Sequence, residues 1–197
     1  FPDFLLNKDT QTTEGICNAI INFNKLVIDE VCDHVVAVKP QLAYYEVYGS
    51  AGIKALEETI QYARSKKVIV INDAKRGDVG STSKAYAQAF LTNGSLSGDM
   101  VTVNPFLGSD GYNPFIEVAQ KNNKGLFLLL KTSNPSSYEI QDLKLQNGEI
   151  LYMQMAQDIN ALAAATNPII IVSVMGLFSQ KINFYSILIT VLIIILS

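Results

Sequence analysis

The chain has 197 residues, 49% of them hydrophobic, and a formal net charge of −3. That length suffices for one domain with a real core, and the acidic balance argues against a general nucleic-acid binder, which would carry a basic face. Two cysteines without a CxxC motif, beside a single histidine, argue against zinc, so no metal is expected.

No targeting signal is read at Phe1-Pro2-Asp3, which lacks a basic region and an apolar stretch. The first predicted element is a helix over residues 13–31, with Ile16, Ala19, Ile20, Phe23, Leu26, Val27 and Val31 on one face. Cys17 and Cys32 fall in its apolar pattern and read as reduced, buried thiols of a cytosolic protein. Short apolar runs follow at residues 35–38, 68–71, 100–103, 126–130 and 169–172. They are nearly continuous in Val, Ile, Leu and Phe, the pattern of parallel strands buried on both faces. Helical periodicity fills the gaps near residues 50–65, 81–93, 113–121 and 149–165, with Ser81 as an N-cap. Arg64-Ser65-Lys66-Lys67 is the densest cationic cluster and sits at a helix end, where cations complement the helix dipole. Asn93-Gly94-Ser95 fits a glycosylation sequon but reads more simply as a polar loop. After Val174 the rhythm stops, and residues 184–196 form an Ile-rich apolar stretch shorter than the roughly 20 residues of a membrane span. A buried element is the plainest reading of it; a weak tail anchor or sequence foreign to the domain are the others.

Strand–helix–strand repetition at about 30 residues per unit predicts an α/β fold with right-handed crossovers and a parallel sheet. The strand ends separate a barrel from an open sheet. The first four runs stop at Lys39, at Asn72-Asp73 with Lys75, at Asn104, and at Lys131-Thr132-Ser133. Polar groups converging from successive strand ends are what a (β/α)8 barrel needs on its active face. An open sheet would concentrate them at one switch point, and neither GxGxxG after the first strand nor GxxxxGK[ST] occurs.

Asp73, Lys75 and Asp78 put two carboxylates around one lysine directly after a buried strand. A surface turn with solvated ion pairs would explain them, but a strand's carboxyl end in a barrel points into the site. Lys39 ends the preceding strand and is held extended by Pro40. Adjacent strands lie about 5 Å apart, so Lys39 is expected within reach of Asp73. Such an alternating array keeps each ammonium protonated: one lysine can then serve as a proton donor, and a fixed carboxylate repels an anionic group. Arg76-Gly77-Asp78 also spells an adhesion tripeptide, which its place after a buried strand disfavours.

Four segments, in order, resemble orotidine 5′-monophosphate decarboxylases. Residues 70–82 (VINDAKRGDVGST) resemble the branch whose motif reads DAKRGDIGST; residues 38–46 (VKPQLAYYE), 101–108 (VTVNPFLG) and 131–135 (KTSNP) resemble its other segments. The resemblance implies a cofactor-free, cytoplasmic, homodimeric TIM barrel that converts orotidine 5′-monophosphate to uridine 5′-monophosphate in pyrimidine biosynthesis. It implies that Lys75 delivers the proton, that Asp73 sits beside the departing carboxylate and that Lys39 links it to the ribose. It implies that Asp78 and Thr82 serve the partner's site and that Ser133 reads the pyrimidine. It also implies a partial barrel over residues 1–176, lacking the first strand and the last two βα units, with residues 177–197 an apolar tail unlike the family. On that reading the chain alone is expected to be weakly active or inactive. Competing readings are a metal-dependent sugar-phosphate decarboxylase of the same superfamily, a non-catalytic remnant or interaction protein, and a piece of a bifunctional UMP synthase.

Overall fold

The structure is a computed structural model that describes residues 12–166, 169–174 and 191–192, with side-chain surroundings through residue 164. The boundary expected at residues 176–177, and the 184–196 stretch apart from Val191 and Leu192, lie outside the described residues. Among those described, no helix is long and apolar enough to cross a membrane. The chain divides into two compact units.

The first unit comprises the described residues of Phe1–Ala74, Asn93–Val101 and Leu188–Ser197. It opens with α1 (Thr13–Val31), capped by Thr12, whose side chain accepts the Gly15 N–H, and with Glu14 in the first turn. The buried positions are Gly15, Cys17, Ala19, Ile20, Asn24 and Ile28. This corrects the predicted face, because Leu26 is exposed and Asn24 is fully buried. Asn24 Nδ2 donates to Tyr45 Oη and to Thr59 Oγ1, both at 2.9 Å, so its partners in space set its orientation rather than its hydropathy. Cys17 is buried as expected, whereas Cys32, the C-cap of α1, is only half-buried.

After α1 come β1 (Ala37–Val38), the single turn α2 (Ala43–Glu46) and α3 (Gly49–Ser65). Helix α3 buries Ala51, Gly52, Ala55, Leu56, Thr59, Ile60 and Ala63. Its small residues permit close approach: a Cβ on Gly52 would lie 1.8 Å from the Tyr45 carbonyl oxygen. The cationic cluster does close α3, and there Lys66 pairs with Asp29 of α1. The hydrogen bonds from Lys66 and Tyr62 hold the Asp29 carboxyl below the usual carboxylate range.

Strand β2 (Ile69–Arg76) and strand β3 (Met100–Val103) each contribute to both units. Strand β1 pairs in parallel with β2 (Ala37↔Ile69, Val38↔Val70). On its other edge β1 pairs in parallel with β6 (Val191–Leu192). Strand β2 runs through Asp73 and Lys75 rather than ending at Asn72-Asp73 as the apolar run suggested. Backbone pairing sustains it: Asp73 N–H donates to Pro40 O at 3.0 Å and Leu42 N–H to Asp73 O at 3.2 Å.

The second unit comprises the described residues of Lys75–Thr92 and Thr102–Ile187. Its helices are α4 (Gly80–Leu91), α5 (Ser109–Asn122), α6 (Tyr138–Gln141) and α7 (Leu151–Thr166). Its strands include β4 (Gly125–Lys131) and β5 (Ile169–Val174), paired in parallel from Gly125↔Ile169 onward. Helix α4 starts earlier than expected, and its N-cap is Val79 rather than Ser81. The reason is Gly80, whose φ of +55° turns the chain into the helix one residue before Ser81. Helix α5 begins at Ser109, ahead of its predicted start, and tolerates Pro114 in its first turns. Phe115, Ile116, Ala119, Leu126 and Leu128 form the core here.

Candidate functional site

The expected partnership of Lys39 and Asp73 is present. Lys39 Nζ forms an ion pair with Asp73 Oδ2. Both strands contribute: β1 ends just before Lys39, and the β2 backbone holds Asp73 opposite Gln41 in a parallel bridge. The Asp73 residue is 4% exposed. Two charges taken out of water gain little net stability even when paired, since desolvation offsets the attraction. A hydrophobic pair would serve a structural role as well, so a largely buried ion pair here points toward chemistry.

Gln41 lies within the 38–46 segment, and its Nε2 lies 3.0 Å from Asp73 Oδ2. The signal was present in the sequence. In extended backbone, residues i and i+2 share a face, so Lys39 and Gln41 on either side of Pro40 can reach the same carboxylate.

Lys75 belongs to the second unit and its side chain is exposed. It has φ +48°, uncommon for a residue with a Cβ. Its N–H donates to Thr102 Oγ1 at 2.8 Å, and Thr102 is buried. A backbone held in a sparsely populated region costs on the order of 1 kcal/mol and persists where its surroundings fix it. Thr102 was missed, because no sequence pattern announces a side chain that caps a strained backbone N–H.

Asp78 is half-buried, and its Oδ1 accepts the N–H of Val79 at 2.8 Å. Thr82 is exposed on the first turn of α4. Gly77 is constrained, since a Cβ there would lie 3.1 Å from the Asn104 carbonyl oxygen. Arg76 lies over the rings of Tyr86 and Phe90, 5.6 and 5.8 Å from their centroids, so the guanidinium of the adhesion-like tripeptide is engaged within its own unit.

Ser133 is exposed in the loop after β4. Gln141 orders that loop from both ends of its amide. Its Oε1 accepts the Thr132 N–H at 2.9 Å, and its Nε2 donates to Thr132 Oγ1 at 2.8 Å. Lys131 pairs with Asp142 close by. A cavity of about 380 Å³ opens beside this loop, lined by Asn104, Phe106, Leu129, Thr132, Gln141 and Tyr152 among others. Among the described residues no cluster of three His, Cys, Asp or Glu side chains could hold a metal.

A sequence model of the Orotidine 5′-phosphate decarboxylase / HUMPS family matches residues 21–181. The orotidine 5′-phosphate decarboxylase of Clostridium acetobutylicum is 45% identical over 145 residues, covering 74% of this chain and 50% of that protein. The enzyme of the same name from Corynebacterium glutamicum is 43% identical over 148 residues, covering 75% of this chain and 53% of its own. The structure of Leishmania donovani OMP decarboxylase superposes with a TM-score of 0.72 at 29% identity, over 80% of this chain and 60% of that one. The chain therefore spans about half the length of the curated relatives it matches. Its α/β architecture with parallel strand pairings is that of a partial (β/α)8 barrel, as the strand ends led us to expect.

Proposed function

The chain belongs to the Orotidine 5′-phosphate decarboxylase / HUMPS family, and on that premise we propose that it carries catalytic residues for the decarboxylation of orotidine 5′-monophosphate to uridine 5′-monophosphate. The observation that carries this reading is the Lys39–Asp73 pair, in which Lys39 directly follows β1 and the buried Asp73 lies within the adjacent parallel strand β2. Loss of carbon dioxide leaves an electron pair on the pyrimidine carbon. In this reading no cofactor takes up that charge, so the protein must stabilise it electrostatically.

The Lys75 ammonium is the proposed donor: it stabilises the developing carbanion and quenches it by protonation. Asp73 stands beside the substrate carboxylate and disfavours it relative to the transition state. Lys39 neutralises and orients Asp73 and reaches the ribose. Binding energy from the remote phosphate holds the base in place against that repulsion. Ser133 reads the pyrimidine edge from the loop that Gln141 orders. Asp78 and Thr82 reach the site of a second copy in a homodimer. A cytoplasmic setting fits a nucleotide substrate.

The test is loss of orotidine 5′-monophosphate absorbance with the purified chain and with a version extended to the length of its relatives. Turnover by the extended protein is expected, with little or none from the chain alone. An extended, folded protein without decarboxylation would remove this function.

A further inference from the structure

Asp73 must keep one orientation if it is to face an anionic group without turning away. A carboxylate held by Lys39 alone is held by a point charge on a flexible stem, which fixes distance better than direction. The structure supplies a second contact on the same oxygen, the 3.0 Å hydrogen bond from Gln41 Nε2 to Asp73 Oδ2. The assignment of nitrogen to this position is chemically required, because an ionised carboxylate only accepts.

The backbone under Gln41 is fixed unusually well for a residue beyond a strand end. Gln41 bridges Asp73 in parallel register, and the flanking Pro40 and Leu42 exchange backbone hydrogen bonds with Asp73 itself. Leu42 and Tyr45 are buried immediately after it. Tyr45 Oη accepts a hydrogen bond from Asn24 of α1, which ties the turn to the helix pair behind it. Gln41 therefore arrives at Asp73 on backbone fixed by pairing on both sides.

We propose that Gln41 is a positioning residue that orients the Asp73 carboxylate through a neutral hydrogen bond, complementing the ionic contact from Lys39. An amide gives direction without adding charge. A second cation would cancel the repulsion that Asp73 is there to exert. The geometry stands by itself, and its catalytic consequence rests on the function proposed above.

Nuclear magnetic resonance of the full chain separates the two. In the unmodified chain, the Gln41 side-chain amide signals should titrate together with the Asp73 carboxyl carbon. In Gln41→Leu the Asp73 midpoint should rise by about one pH unit, because a donor that favours the ionised form is gone. Gln41→Met, of matching length, serves if the leucine variant does not fold. In the version extended to the length of its relatives, kcat for the proposed decarboxylation should fall about tenfold in the same variant, the worth of one charge-assisted hydrogen bond, with KM moving less. Amide signals that ignore Asp73, or an unmoved midpoint in the variants, would overturn the role of Gln41. A moved midpoint beside an extended, folded protein that decarboxylates nothing would uphold it while counting against the proposed function.

Discussion

Two polar clusters are buried in the same unit, and they are built on opposite principles. Between α1 and α3, Asn24, Tyr45 and Thr59 form a neutral network in which Thr59 Oγ1 also donates to Ala55 O at 2.7 Å. Just beyond β1 and within β2, Lys39, Gln41 and Asp73 form a charged one. The neutral cluster is sealed by helices, and each member docks one element on another. The charged cluster stands where the chain leaves β1 and pairs on with β2 through the Gln41–Asp73 bridge. Its members gain less stability than an apolar core would give. Stability accounts for the first cluster, whereas the second is what the proposed chemistry asks for and adds less to stability.

The contrast can be broken most sharply at Lys39. Lys39→Met removes the cation beside the buried Asp73 carboxylate and should cost about 3–5 kcal/mol in urea unfolding. Removing both charges in Lys39→Met with Asp73→Leu should recover most of that loss, since two apolar groups can replace a buried pair. A double variant as unstable as the single one would mean that the charged cluster is structural after all.

The neutral cluster should behave differently. Asn24→Ala deletes two hydrogen bonds and opens a small void, and should cost about 2–3 kcal/mol without the recovery seen for the charged pair. One detail sharpens this: Asn24 Oδ1 is buried without a hydrogen-bond partner. Asn24→Leu should therefore cost less than Asn24→Ala, because it fills the space and removes that oxygen.

Alkaline pH probes the same network. Burial pushes the Tyr45 hydroxyl up to about 12 from an ordinary value of 10.0. The folded state thus holds this proton more tightly than the unfolded chain. The stabilisation is complete below pH 10 and is lost as pH rises through about 12, a loss on the order of 2 kcal/mol. Tyr45→Phe should abolish this part of the alkaline slope while lowering stability at neutral pH by about 1 kcal/mol. A slope unchanged in the phenylalanine variant would assign it to other groups.

The smallest effect is expected at Thr102. Thr102→Val keeps the shape but removes the acceptor for the Lys75 N–H. Stability should fall by about 1 kcal/mol, and the proposed turnover should fall more than ground-state binding does, because the backbone of Lys75 is no longer fixed. Equal losses in both would make Thr102 an ordinary core residue.

The sequence revealed the charged cluster better than the neutral one. Lys39 and Asp73 could be placed together from the ends of successive apolar runs, with Pro40 holding the first extended. The alternation of strands and helices was equally plain. Asn24 was misread because hydropathy puts asparagine on the solvent face, and only Tyr45 and Thr59, brought from other elements, justify its burial. The left-handed backbone at Lys75 was invisible, since nothing about a lysine announces φ +48°. The start of α4 was missed because Ser81 is a good cap on paper while Gly80 makes the turn. The segment between β4 and α7 carried no periodicity to read, and its short antiparallel bridge, Lys144↔Ile150, depends on a turn of polar residues.

The account stands on Lys75 as the proton donor, so its most direct test is Lys75→Ala in the protein extended to family length. Decarboxylation of orotidine 5′-monophosphate should fall by roughly 10³-fold or more while binding of uridine 5′-monophosphate persists. Turnover that survives the substitution would contradict the account.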